Sequence, residues 1–170
     1  MHRPDPATFE VGPTGLAYDP QLDILFVAST GDNAVFAVKH ANEIRPSRGR
    51  GELVYFDPVH LHGALAMALA PNGHLLVSNS DGINPNVNEP SEIVEFTVHG
   101  RFIGQLSVDP NLGGAFGLNI VAVTDDVARF TAVDGNANTL TVWTVNQPEA
   151  IDQTASKQQF GQDRPNPGSS

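Results

Sequence analysis

Apolar residues along the chain fall in short clusters bounded by Gly, Pro, Asn or Asp. Clusters of this length between turn residues predict strands rather than helices. A first group is expected at Leu16–Tyr18, Ile24–Ala28, Ala34–Val38 and Leu53–Phe56. A second is expected at Leu65–Leu69, Leu75–Ser78, Glu92–Val98 and Phe102–Val108, and a third at Phe116–Val123, Ala128–Val133 and Thr139–Val145. Several strands are apolar at successive positions, as in Ile24-Leu25-Phe26-Val27-Ala28, so both faces of their sheet must be covered. By the two-residue alternation of strands, Leu140 and Val142 belong to one face and Trp143 and Val145 to the other.

The groups repeat. Asp57-Pro58 opens a segment that passes through Gly63-Ala64 into an apolar run, and 52 residues later Asp109-Pro110 does the same through Gly114-Ala115. Pro20, in an earlier copy, lies 51 residues before Pro71. A period of about fifty residues with four strands predicts small four-stranded sheets stacked face to face around an axis. The expected fold is therefore all-β, a β-propeller of four-stranded antiparallel blades with three blades present. A β-sandwich, the alternative, would show cleaner polar and apolar alternation on one solvated face. Residues 1–6 form an extension and residues 7–146 the partial propeller, with blades at about 12–57, 58–109 and 110–146. Within it, Thr8-Phe9-Glu10-Val11 stands where the fourth strand of an earlier repeat would sit. Gln147–Ser170 carries little apolar content beyond Ala, Ile151 and Phe160 and reads as a loose tail. Propeller rings close with roughly four to eight blades. The chain is thus expected to be a piece of a longer protein or half of a dimeric six-bladed ring, and to self-associate when expressed alone.

Pro13-Thr14-Gly15-Leu16-Ala17-Tyr18-Asp19-Pro20, then Leu25–Ser29, then Asp32-Asn33-Ala34-Val35-Phe36-Ala37-Val38 resembles the NHL-repeat blade. Ala68–Asn79 echoes it, and Gly117-Leu118-Asn119 and Asn136-Ala137-Asn138 keep parts of it. The resemblance covers about residues 8–146 and implies the six-bladed propeller superfamily, which includes lactonases, lyases, ligand-binding domains and protein-interaction modules.

Charge narrows the partners. Nine Lys and Arg against nineteen Asp and Glu give a net charge of −10, a field that repels phosphate backbones and anionic lipid surfaces. Nucleic acid and membrane surfaces are therefore not expected as partners, and no apolar run approaches the roughly 18 residues of a spanning helix. Met1–Pro6 lacks the apolar stretch of a signal peptide. With no Cys there is no disulfide, thiolate metal site or thiol nucleophile. The Arg45, Arg48 and Arg50 cluster around Pro46 and Gly49 reads as a solvated loop.

Chemistry is expected on the face where Asp57–Gly63 and Asp109–Gly114 meet Ser29–Asn33, Asn79–Ser91 and Asp134–Asn138. In the long loop from Asn79 to Pro90, the oxygens of Asn79, Asp81 and Asn84 suit a hard cation such as calcium, although long turns use the same residue types. In an extended segment His60 and His62 face the same way, which would let both approach one zinc ion. The superfamily resemblance implies two further readings. An amidating lyase of the class uses histidines in its channel, and a gluconolactonase-type relative holds calcium by Glu, Asn and Asp near the axis. The latter makes Asn79, Asn119 and Asp134 candidates, but no acidic residue occupies a matching early-strand position. No Gly-x-Ser-x-Gly element supports acyl transfer. The expected function is a non-enzymatic scaffold that binds a protein, peptide or small molecule on its loop-bearing face. The alternative is part of a metal-dependent hydrolase or lyase.

Overall fold

In the computed structural model, which describes residues 12–43, 51–79 and 86–146, turn-forming side chains cut these described residues into eleven strands. The first sheet holds β1 (Pro13–Asp19), β2 (Ile24–Ser29), β3 (Ala34–Lys39) and β4 (Glu52–Phe56). The second holds β5 (Ala64–Leu69), β6 (His74–Asn79), β7 (Glu92–Thr97) and β8 (Phe102–Ser107). The third holds β9 (Ala115–Thr124), β10 (Val127–Asp134) and β11 (Thr139–Asn146). Within each sheet, every strand pairs antiparallel with its neighbour in sequence. Asp19 shows how a turn is made: its Oδ1 accepts the amides of Gln21 and Leu22 at 2.8 and 3.1 Å, which reverses the chain after Pro20.

The strands expected from the sequence within the described residues are all present, with ends shifted by a few residues: β1 begins at Pro13 and β9 runs to Thr124. The expectations for Thr8–Val11, the three loop arginines, Asp81, Asn84 and the tail lie outside the described residues. No described helix is long and apolar enough to cross a membrane.

Residues directly opposite across paired strands share a face, so the register assigns every side chain. In the first sheet Ala17, Phe26 and Ala37 form one row and Leu16, Val27, Phe36 and Leu53 form a row on the reverse face. The first of these packs against the second sheet, where Leu61, Met67, Leu75, Val77, Val94 and Phe96 meet Phe26, Val35 and Tyr55. The Tyr55 and Phe96 rings stack at 4.2 Å. The other face of the second sheet, through Leu76 and Ile93, meets Ala115, Phe130 and Ala132 of the third. Trp143 and Val145 join that second core, while Leu140 and Val142 on the opposite parity stay exposed.

Successive sheets approach through their first strands, with β1 against β5 and β5 against β9. Gly15 permits the first approach, because a Cβ there would lie 2.6 Å from the Leu65 carbonyl oxygen. Gly100, at φ +81°, turns β7 into β8 directly against β4. Its missing Cβ would lie 2.1 Å from the Val54 carbonyl oxygen, so the turn needs glycine for both its handedness and its space.

Candidate functional site

One end of the stack gathers the β2–β3, β4–β5, β8–β9 and β10–β11 connections with the described part of the β6–β7 loop. Asp57 organises the β4–β5 linker. Its Oδ1 accepts the amides of Val59 and His60 at 2.8 and 3.2 Å. Its Oδ2 accepts the Tyr55 hydroxyl at 2.6 Å and lies 2.6 Å from His60 Nδ1. Burial works against the charged carboxyl, yet these hydrogen bonds prevail and hold Asp57 below the usual carboxylate range. Burial, followed by the bond to Asp57 and its charge, pushes the Tyr55 phenol well above its ordinary value.

The two histidines have different surroundings. The segment is a turn closed by the Leu61 amide on the Asp57 carbonyl at 2.8 Å, so the extended geometry expected for His60 and His62 is corrected. The His60 ring stacks on Phe102 at 4.0 Å. His62 is buried with its amide on Asn79 Oδ1 at 3.0 Å, and its Nδ1 has no hydrogen-bond partner among the described residues.

The asparagine and aspartate candidates are likewise placed by local bonds. Asn79, fully buried at the end of β6, accepts the His62 amide and donates to the His60 carbonyl at 2.6 Å and to Glu92 Oε2 at 3.4 Å. Asp134 stands at the corresponding end of β10, with its Oδ1 accepting the amides of Asn136 and Ala137 at 2.9 and 3.2 Å. Asn119 lies within β9 in the row of Thr131 and Val142, exposed, its Oδ1 taking the Ile120 amide. Asn79 and Asp134 thus end equivalent strands of successive sheets, while Asn119 belongs to the outward face of the third.

Two groupings add residues that the sequence did not single out, the first of them on the loop-bearing face where chemistry is expected. The first is a cleft of about 490 Å³ beside the β6–β7 loop, lined by Val87, Asn88, Glu89, Pro90 and Pro110 with Glu92, Gln105 and Ser107. The pairing of Glu92 with Ser107 across β7 and β8 brings these residues together. Glu92 is buried, and Glu89 Oε2 is buried with no hydrogen-bond partner among the described residues. The second lies at the opposite end of the first sheet, where ligand atoms of Asp23, His40 and Glu43 come within 4.8 Å of one another. His40 Nδ1 is 3.4 Å from Glu43 Oε1 and 4.0 Å from Asp23 Oδ2. The pairing of Ile24 with Lys39 sets Asp23 beside His40, a relation that spacing in sequence does not reveal.

No protein-family model and no curated protein sequence matches the chain. Solved structures do. Regucalcin, a calcium-binding protein of Agrobacterium tumefaciens, is similar at 12% identity over 88% of this chain and 43% of its own, with a TM-score of 0.52. A luciferin-regenerating enzyme is similar at 12% identity over 82% of this chain and 48% of its own, with a TM-score of 0.50. Identity this low speaks for the fold alone. Both neighbours are six-bladed β-propeller proteins, and the chain spans less than half the length of each. The stacked antiparallel sheets and these neighbours together make the chain β-propeller-like, as the repeat predicts.

Proposed function

We propose that the chain builds three NHL-like blades, at about residues 12–57, 58–109 and 110–146, and serves as a binding scaffold rather than an enzyme. The NHL reading is supported by the segments Pro13–Pro20 and Asp32–Val38, which form β1, the β2–β3 turn and most of β3 of the first sheet. The ligand site is the cleft at the loop-bearing end. The observation that carries it is Glu89 Oε2, a buried carboxylate oxygen in the cleft wall with no hydrogen-bond partner among the described residues. A buried acceptor of this kind costs about 1–3 kcal/mol until a donor reaches it. With Glu92, Gln105 and Ser107 beside it, the cleft suits a peptide or small molecule bearing an ammonium or guanidinium group.

Titration of the labelled protein with lysine amide and arginine amide, followed by amide NMR shifts, tests this. Shifts confined to Val87–Glu92 and Gln105–Ser107, weakened at least fivefold in Glu89→Gln and absent with acetate, are the expected result. Unchanged spectra, or shifts that Glu89→Gln leaves intact, overturn the reading.

A further inference from the structure

The first and third sheets each carry an apolar face turned away from the second. On the first, Leu16, Val27, Phe36 and Leu53 form one row and Tyr18, Leu25 and Val38 the next. Leu16 and Leu53 are 58% and 59% exposed. On the third, Val121, Val133, Leu140 and Val142 lie outward, with Leu140 62% exposed. Of the charged residues, only Arg129 falls in these rows, opposite Val121 and Thr144.

The two faces are of complementary kind. Leu16 opposes Val27 in the first sheet as Met67 opposes Val77 in the second and Leu118 opposes Ala132 in the third. In the second and third sheets that face looks back onto the preceding sheet and is buried there. In the first sheet it has no preceding sheet among the described residues. The outward face of the third sheet is, by the same parity, the kind that Ala17 and Phe26 offer forward in the first sheet and Leu76 and Ile93 in the second. The chain therefore makes this seam twice internally and leaves one half of it at each end of the stack.

We propose that a second copy of the chain supplies both missing halves, the first sheet of each copy packing on the third sheet of the other to close a two-fold ring of six sheets. The half-ring likeness supports closure at two: the chain matches 43% and 48% of the lengths of two six-bladed propellers, and two half-turns about a dyad close a ring. Burial of contiguous apolar side chains drives the association. The net charge of −10 opposes it weakly, since exposed charges more than about 8 Å apart are screened at physiological salt. This inference rests on the sheet faces and stands independently of the cleft.

Size-exclusion chromatography with light scattering on the full chain at low micromolar concentration tests it. The expected mass is twice 18.1 kDa. Leu53→Glu and Val142→Glu, one on each face, should each return the 18.1 kDa species with unchanged far-ultraviolet circular dichroism. Mixing these two variants at tenfold higher concentration should restore a dimer, because one of its two seams is then unaltered, whereas the doubly altered chain should stay monomeric alone and in either mixture. A monomeric wild type, open-ended larger assemblies, or a single variant that stays dimeric would overturn the ring, as would a mixture that fails to associate. If a variant loses its fold, hydrogen exchange of the wild type decides: protection at Leu53 and Val142 that disappears together on dilution supports the ring, and protection unchanged by dilution refutes it.

Discussion

The second and third sheets come from the same repeat, yet one is buried on both faces and the other on one. In the second, Leu75, Val77, Val94 and Phe96 are sealed against the first sheet while Leu76 and Ile93 are sealed against the third. In the third, Phe130 and Ala132 are buried, Trp143 and Val145 only partly, and Val121, Leu140 and Val142 are exposed. The difference is one of neighbours rather than of sequence. A sheet with a partner on each face converts a continuous apolar run into stability, and the same kind of run with one partner leaves half its apolar surface in water.

The largest expected effect exposes that asymmetry directly. Phe96→Ala removes a fully buried ring stacked on Tyr55 and should cost about 3–5 kcal/mol of unfolding free energy. Leu140→Ala, on the outward face of the third sheet, should cost under about 0.5 kcal/mol when measured on the monomer. Urea unfolding at submicromolar concentration gives both numbers. Near-equal losses would show that the third sheet is covered after all.

A smaller contrast separates two of the candidate polar residues. Asn79 is buried between a backbone carbonyl and a backbone amide of the β4–β5 linker, so Asn79→Ala leaves both without their partner. The expected loss is about 1–3 kcal/mol. Asn119 is exposed and among the described residues bonds within its own strand pair, so Asn119→Ala should change stability by under about 0.5 kcal/mol. Thermal melts of the two variants check the difference, and a ligand that protects wild type but not Asn79→Ala would give Asn79 a part in binding as well.

What the sequence made legible follows from the short range of its signals. Strand alternation separated Leu140 and Val142 from Trp143 and Val145 because parity is a local property that the pleat preserves. The same local logic failed at His60 and His62. It treated their segment as extended, whereas the Asp57 carboxylate captures the amides of Val59 and His60 and coils it into a turn. Asp-Pro ahead of that segment was the available signal, since Asp two or three residues before a free amide favours such a turn. The cleft and the Asp23, His40 and Glu43 cluster were out of reach for a different reason. Each depends on cross-strand register, Glu92 against Ser107 and Ile24 against Lys39, and register is fixed by turn lengths and by packing that no spacing rule encodes.

The mildest test compares the two seams through the aspartates that repeat 52 residues apart. Asp57, at the first seam, is held below the ordinary carboxylate range: burial opposes its charge, but the bonds from Tyr55, His60 and two amides outweigh that cost. Asp109, at the second seam, is lowered chiefly by the Asn111 amide, against a smaller opposing desolvation, with help from the Asn136 side chain. A carboxyl whose folded pKa is depressed stabilises the fold fully above its unfolded value of about 3.9, and that contribution disappears as pH falls through the lower folded value. Both sites should therefore steepen the loss of stability below about pH 4. Asp57 lies deeper, with two side-chain partners that reach the same oxygen, whereas Asp109 is solvated and its partners compete with water. Replacing each by Asn and following the melting temperature from pH 6 to pH 2.5 should flatten the acid limb more for Asp57→Asn than for Asp109→Asn. Tyr55→Phe, which removes one of the Asp57 bonds, should flatten it part of the way. Equal slopes in all three variants and the wild type would mean that the linker turns are set by their backbone bonds alone and that neither aspartate charge stabilises its seam.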